Sequence, residues 1–178
     1  MLKAKRLTLC AVLAAFICLL APLSLPAGEI PLSLATFAVY LVACLTRPRY
    51  ALTAVLLYLL LGAVGLPIFS GFSGGLQKLT GVTGGYLIGY LPCCAAVTLL
   101  IDRFEQRIIV WPLSMLLGTA LCYACGTARF LLQTRMAPGA ALAVCVLPFL
   151  PGDSLKIAVA CAVGVPMRKR LRKFQDAS

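Results

Sequence analysis

Two residues of opposite charge lie in the last apolar segment of this chain. Asp153 and Lys156 fall in "LPFLPGDSLKIAVACAVGV", which contains no other charged residue. Side chains three positions apart share one face of a helix and are within contact range. A helix start with an added ammonium group favours an anion, whereas a carboxylate accepts N–H donors. The pair therefore suits a small ligand with a carboxylate at one end and N–H groups at the other.

A structural interpretation of this pair competes with the functional one. The two charges could neutralise each other, or Lys156 could extend its ammonium group to the membrane interface. A charge inside a spanning segment costs about 2.5–3.5 kcal/mol on insertion scales, which makes such residues functional-site hypotheses. Prolines at 148 and 151 also break the helix beside the pair. Non-helical backbone at membrane depth is tolerated only where it is buried in protein or lines a cavity, so the interruption favours a binding site.

The residues after the break predict a short final helix. Asp153 follows Pro151–Gly152 and is expected to be the N-cap. Residues 153–167 would form about 22 Å of helix at 1.5 Å per residue. The hydrocarbon core is about 30 Å thick, so the break is expected within or at the edge of the outer leaflet.

A glycine-rich stretch is the second candidate for a functional element. It contains Gly71, Gly74, Gly75, Gly81, Gly84, Gly85 and Gly89. It lacks the GxxxxGK[ST] pattern of a phosphate loop, and no strand precedes it as in a dinucleotide fingerprint. Gly85 and Gly89 form GxxxG, which is typical of close helix packing. Thr83 is expected to cap the following helix, Gly84 to let backbone approach a ligand, and Tyr86 to offer a flat face and a hydroxyl.

Small residues and cysteines complete the set of candidates. Ala11 and Ala15 form AxxxA, a pattern that permits close approach of another helix but is common by chance in Ala-rich segments. The nine cysteines include a CxxC at Cys122 and Cys125, inside an apolar segment. Packing as small apolar side chains is expected, with a metal or redox role as the alternative. The chain has no histidine and shows no nucleophile–base pair, so an enzyme is not expected.

The composition predicts an integral membrane protein. The chain is 62% hydrophobic with a mean hydropathy of +1.01, whereas soluble domains are about 45–50% apolar. The run at 7–25 is too long for a signal-peptide core of about 7–15 residues, so it is expected to be retained. We predict an all-α fold with one membrane domain over residues 1–178. Its six spans are expected at about 7–25, 32–46, 50–66, 84–101, 109–130 and a broken segment at 140–167, with an outer loop at 26–30.

The positive charge supports this topology. The net charge is +11, which in a soluble protein would suggest nucleic acid. Here twelve basic residues lie at the two ends of the chain and at every second connection between spans, which places them all on one side of the membrane. They are Lys3, Lys5, Arg6, Arg47, Arg49, Arg103, Arg107, Arg168, Lys169, Arg170, Arg172 and Lys173. The positive-inside rule makes this side cytoplasmic. Both termini are expected inside, the lipid bilayer is the expected environment, and no nucleic-acid partner, metal or cofactor is expected.

Three motifs resemble one family of membrane proteins. They are "GLPIFSGFSGG" at 65–75, "GVTGGYLIGY" at 81–90 and "LPFLPGDSLK" at 147–156. Their order and spacing are similar to those of BioY, the biotin-binding S component of energy-coupling factor (ECF) transporters. The resemblance extends from about residue 31 through the basic C-terminus.

The resemblance implies a six-helix protein in the plasma membrane of a prokaryote. Its outward biotin site is roofed by the loop between the third and fourth spans. The implied partners are a transmembrane T component and two ATPases, and the implied transport step is a toppling of the S component. The binding residues implied by the resemblance are Tyr86, Asp153 and Lys156. We also predict that Phe72, Gly75, Thr83 and Gly84 bind the ligand. Ala11 and Ala15 match the motif that contacts the T component.

Two residue departures from the family, an unusual cysteine content and three rival interpretations remain open. Ala35 stands where the family often has glutamine, and Val82 where it often has proline. One rival is a solitary biotin transporter that works without ATPases. Another is an S component for a different small carboxylate, such as a lipoate-like or dethiobiotin-like acid. The third is a structural membrane subunit without a ligand.

Overall fold

The computed structural model describes residues 2–25 and 32–176 and is almost entirely helical there. Its helices are α1 (Leu2–Leu20), α2 (Ala35–Leu45), α3 (Pro48–Ala63), α4 (Leu76–Thr80), α5 (Gly84–Arg103), α6 (Val110–Thr134), α7 (Pro138–Cys145) and α8 (Leu150–Asp176). Two short antiparallel strands, β1 (Ser24–Leu25) and β2 (Leu32–Ser33), pair between α1 and α2. The outer loop predicted at 26–30 lies outside the described residues.

The helices have the length and composition expected of a membrane protein. Among the described residues, three stretches are long and apolar enough to cross a bilayer: Gly84–Arg103, Val110–Thr134 and Leu150–Arg168. Shorter apolar helices occupy Leu7–Leu20, Ala35–Leu45 and Pro48–Ala63. The predicted all-helical membrane fold is confirmed at this level.

Several element boundaries differ from the predicted ones. α1 ends at Leu20 and α2 begins at Ala35, and the strands Ser24–Leu25 and Leu32–Ser33 occupy positions that were expected at the ends of the first two spans. Hydropathy does not distinguish a short extended segment from the end of a helix. Pro48 opens α3 at its first turn, a position where the missing N–H costs nothing. The five-residue helix α4 was not predicted, and α6 continues to Thr134 rather than ending at 130.

Glycines allow α5 and α6 to pack in close contact. A Cβ on Gly85 would lie 2.5 Å from the Cys125 carbonyl oxygen, and one on Gly89 would lie 3.1 Å from the Cys122 backbone. The first distance is shorter than side-chain carbons tolerate and the second is tighter than most carbon contacts, so a larger residue at position 85 would push the helices apart. The GxxxG pattern in α5 therefore serves helix packing, and the buried Cys122 is part of that interface.

Candidate functional site

A cavity of about 60 Å³ lies between the first turns of α2, α5 and α8 and the second half of α6. Apolar and aromatic side chains form much of its wall, and a charged pair forms one side. Its lining residues are Leu32, Ser33, Thr36, Ser70, Thr83, Tyr86, Leu87, Tyr90, Cys122, Tyr123, Phe149, Asp153 and Lys156. The combination of apolar walls and a few convergent polar groups is typical of a small-molecule site. The enclosed volume is smaller than the roughly 300–1,000 Å³ of most ligand pockets, so a vitamin-sized ligand requires the walls to move apart.

The interruption between α7 and α8 positions the charged pair. α7 ends at Cys145 and α8 begins at Leu150, three residues before the predicted start. Asp153 is therefore not the N-cap. It lies in the first turn of α8, and its backbone N–H donates to the Phe149 carbonyl at 2.8 Å. Pro151 fits this first turn because no intrahelical N–H bond is needed there.

The earlier start of α8 also corrects the predicted length of the last span. The apolar stretch Leu150–Arg168 has 19 residues. At 1.5 Å per residue it is about 28 Å long, close to the thickness of a hydrocarbon core. The break thus precedes a nearly complete span.

Asp153 and Lys156 form a buried ion pair on the cavity wall. The Lys156 Nζ to Asp153 Oδ1 distance is 2.8 Å, and the residues are only 9% and 4% exposed. Nζ also donates to the Ser33 carbonyl oxygen at 2.7 Å and to Thr36 Oγ1 at 3.1 Å. All three ammonium hydrogens are therefore used inside the protein. Lys156 does not extend to the interface, so that interpretation is wrong.

A tyrosine completes the surroundings of the carboxylate. The Tyr123 hydroxyl, from α6, donates to Asp153 Oδ2. The two Asp153 oxygens thus bind different groups, and the carboxylate is held between α6 and α8. Hydrogen bonding on both oxygens is what a buried carboxylate requires.

Of the predicted binding residues, the structure brings four to the cavity: Thr83, Tyr86, Asp153 and Lys156. The Tyr86 hydroxyl donates to the Cys145 carbonyl oxygen at 3.3 Å, where α7 ends. Thr83 occupies the N-cap position of α5, but its side chain makes no capping hydrogen bond.

The other three predicted binding residues do not line the cavity. Phe72 is 66% exposed on the α3–α4 connection. Gly75 is the N-cap of α4 and has a φ of +92°, which only glycine adopts readily. A Cβ on Gly84 would overlap the Leu79 carbonyl group. Gly84 therefore accommodates the backbone of α4 here, and the binding roles of these three residues stay predictions.

Three polar groups that contact the charged pair were missed by the sequence analysis. Ser33, Thr36 and Tyr123 are 123, 120 and 30 positions from their partners on α8. No local pattern links residues at such separations. The available signal was weak: a hydroxyl-bearing residue near the start of one span and a tyrosine among small residues in another.

The two alanines of the first helix lie on a free face of the bundle. Ala11 and Ala15 are exposed, whereas the adjoining face of α1, with Ala14 and Ile17, is buried. A smooth exposed strip of this kind lets another helix approach closely.

The comparisons with known proteins agree with the geometry. The sequence profile of the BioY family matches residues 1–173. The chain belongs to the BioY family. A biotin transporter BioY from Thermotoga maritima is 36% identical over 149 residues, covering 83% of this chain and 86% of its own length. Biotin transporter BioY2 from Lactococcus lactis is 32% identical over 169 residues, covering 95% and 93%.

A solved structure supports the same assignment for this BioY family member. It is a crystal structure of the S component for biotin from an ECF-type ABC transporter. The TM-score is 0.87 at 27% sequence identity, and the match covers 94% of this chain and 92% of the other. Together with the apolar helices, the family assignment makes this an integral membrane protein and a substrate-binding subunit rather than an enzyme.

Proposed function

We propose that this protein captures biotin in the cavity and delivers it for uptake as the substrate-binding subunit of an ATP-driven ECF vitamin transporter. The observation that carries the proposal is the buried pair of Asp153 and Lys156 on the wall of an otherwise largely apolar cavity. Both of the relatives described above are named biotin transporters, and the similar crystal structure is an S component for biotin.

The chemistry of the cavity fits this ligand. Asp153 retains acceptor capacity for N–H groups such as those of a ureido ring. The aromatic rings of Tyr86, Tyr90 and Phe149 suit a fused ring and an aliphatic chain. Because Lys156 already uses its three hydrogens, a ligand that contacts it must replace one of the existing acceptors.

We propose six spans with both termini in the cytoplasm of a prokaryote and the cavity opening to the outside of the plasma membrane. Four of the arginines assigned to the inner side lie in the α2–α3 and α5–α6 connections or in the adjoining helix ends, namely Arg47, Arg49, Arg103 and Arg107. Arg168 of α8 contacts both regions, through Cys44 and Asp102. The basic regions thus meet at the end of the bundle opposite the cavity, as the positive-inside rule requires.

The proposed partners are a transmembrane T component and two ATPase subunits. The sequence contains no phosphate-binding loop, so energy from ATP has to enter through other chains. The exposed strip at Ala11 and Ala15 is the proposed contact with the T component.

Equilibrium binding of labelled biotin to the purified protein tests the proposal. We expect saturable binding to one site, with unlabelled biotin competing better than lipoate or dethiobiotin. Absence of saturable binding would refute it, and stronger competition by another acid would reassign the ligand. Uptake measured in cells that lack any T component separates the ECF mechanism from solitary transport, because only the solitary transporter remains active there.

Tyr123→Phe is expected to weaken biotin binding about tenfold or more. The change removes the hydroxyl that donates to Asp153, and a hydrogen bond to a charged group contributes about 1.5–3 kcal/mol. Binding titrations measure the effect. Tyr50→Phe is the matched control, because Tyr50 is outside the cavity lining. Equal affinities for the two variants would show that Tyr123 does not hold the carboxylate in its binding position.

A further inference from the structure

A second charge cluster, centred on a buried arginine, lies at the end of the bundle opposite the cavity. Arg168 is 3% exposed. Its Nε donates to Glu105 Oε1 at 3.0 Å, and its Nη2 donates to Asp102 Oδ1 at 2.9 Å. Nη1 donates to the Cys44 carbonyl oxygen at 2.9 Å. This guanidinium therefore ties α8 both to the end of α2 and to the α5–α6 connection.

Arg168 lies on the same face of α8 as the cavity pair. The buried residues of this helix recur at helical spacing: Asp153, Lys156, Ile157, Ala160, Gly164 and Arg168. This stripe faces α2 at several points. Lys156 contacts Thr36 near one end, and a Cβ on Gly164 would lie 3.2 Å from the Cys44 Cβ near the other. Polar contacts thus fasten α8 to α2 at both ends, with small residues between them.

Two features of α8 itself leave less of its own backbone hydrogen bonding to fix its position. The chain is interrupted before Leu150, so α7 does not continue into α8. Pro166 removes one backbone hydrogen bond in the turn before Arg168. A slip of one residue along a helix is a shift of about 1.5 Å with a rotation of about 100°. Such a slip would carry Asp153 and Lys156 away from the cavity wall.

We propose that Arg168 is a positioning residue for ligand binding, which fixes the register of α8 on α2 and thereby holds Asp153 and Lys156 in the cavity. Twelve to fifteen residues separate it from the pair, about 18–22 Å along the helix axis. This inference rests on the proposed biotin site. Arg168 itself touches no ligand and acts through the helix.

Arg168→Gln in the purified full-length protein tests the inference by titration with labelled biotin. We expect the Kd to rise about tenfold or more while the number of sites per folded protein stays unchanged. Arg170→Gln is the matched control, because Arg170 is exposed at the same end of the same helix and its loss leaves the cluster intact. The Asp102→Asn, Glu105→Gln double variant removes both negative charges that pair with Arg168 and is expected to raise the Kd as well.

A wild-type Kd in the Arg168→Gln protein would overturn the inference. Fewer binding sites that each keep the wild-type Kd would also overturn it, because that result indicates a role in folding alone. If the wild-type protein itself does not bind biotin, the proposed function fails instead.

A crosslinking measurement reports the register of α8 without any ligand. Gly164→Cys places a thiol beside the native Cys44, whose Sγ is 3.5 Å from the Cβ position of residue 164. Oxidation is expected to join the two, and Gly164→Cys with Cys44→Ala is the control. Arg168→Lys keeps the positive charge, but an ammonium group does not reproduce the three hydrogen bonds of the planar guanidinium. Adding this change to the Gly164→Cys protein is expected to lower the crosslinking yield severalfold. An unchanged yield in this variant would contradict the proposed positioning role.

Discussion

Lys156→Met is expected to lower the affinity for biotin about thirtyfold or more. Truncating one partner of a buried, hydrogen-bonded charge pair costs about 2–5 kcal/mol, and each 1.4 kcal/mol is a tenfold change in Kd. The substitution leaves Asp153 without its ammonium partner and Ser33 without the donor to its carbonyl oxygen. Equilibrium titration with labelled biotin measures the change. Lys78→Met is the matched control, because Lys78 lies on α4 outside the cavity lining.

The double variant Asp153→Asn, Lys156→Met separates binding from folding. Removing both charges relieves the penalty of an unpaired buried carboxylate, so its thermal stability is expected to exceed that of Lys156→Met. Its affinity for biotin is expected to stay low, because neither charged group remains. Recovery of wild-type affinity in the double variant would mean that the pair serves the fold and not the ligand.

Replacing Ala11 and Ala15 together by leucine is expected to abolish biotin uptake while leaving the Kd unchanged. Both side chains are exposed on α1, away from the cavity, so larger residues fit the isolated protein. A helix of the T component could no longer approach closely. Uptake in cells that contain the T component and ATPases, together with titration of the purified variant, provides the two measurements.

Another exposed pair of alanines serves as the control for this experiment. Ala120 and Ala124 have the same four-residue spacing on α6 and are also exposed. Their replacement by leucine is expected to leave both uptake and binding intact. If this pair blocks uptake equally, or if the α1 variant loses binding, the proposed contact with the T component is wrong.

Local patterns explain why part of the site could be predicted from the sequence. The i, i+3 spacing of Asp153 and Lys156 determines their contact once the segment is helical, whatever the rest of the fold does. Hydropathy indicated the spans in the same way, since each span depends on its own composition. The exposed face of Ala11 and Ala15 agrees with the expected strip of small residues.

The remaining contacts depend on how distant segments meet. Thr36 and Tyr123 reach the pair only because α2 and α6 pack on either side of α8. Gly84 was expected near a ligand, but it accommodates α4, a five-residue helix with too few residues to show a periodic pattern.

The two departures from the family pattern have local accounts. Ala35 is buried, and its methyl side chain provides no polar group to the site. Its backbone N–H donates to Ser33 Oγ at 3.1 Å. Val82 packs with the apolar cluster that contains Phe130 and Phe149.

The pairing of Asp153 with Lys156 sets the electrical work of transport. The two charges cancel, so an empty site can move across the membrane potential without a net charge of its own. A bound biotin carboxylate adds one negative charge, which a negative interior repels. Moving one elementary charge through the whole field costs about 2.3 kcal/mol per 100 mV. For the proposed biotin uptake, the loaded inward step would therefore run against the voltage, whereas the empty return would not.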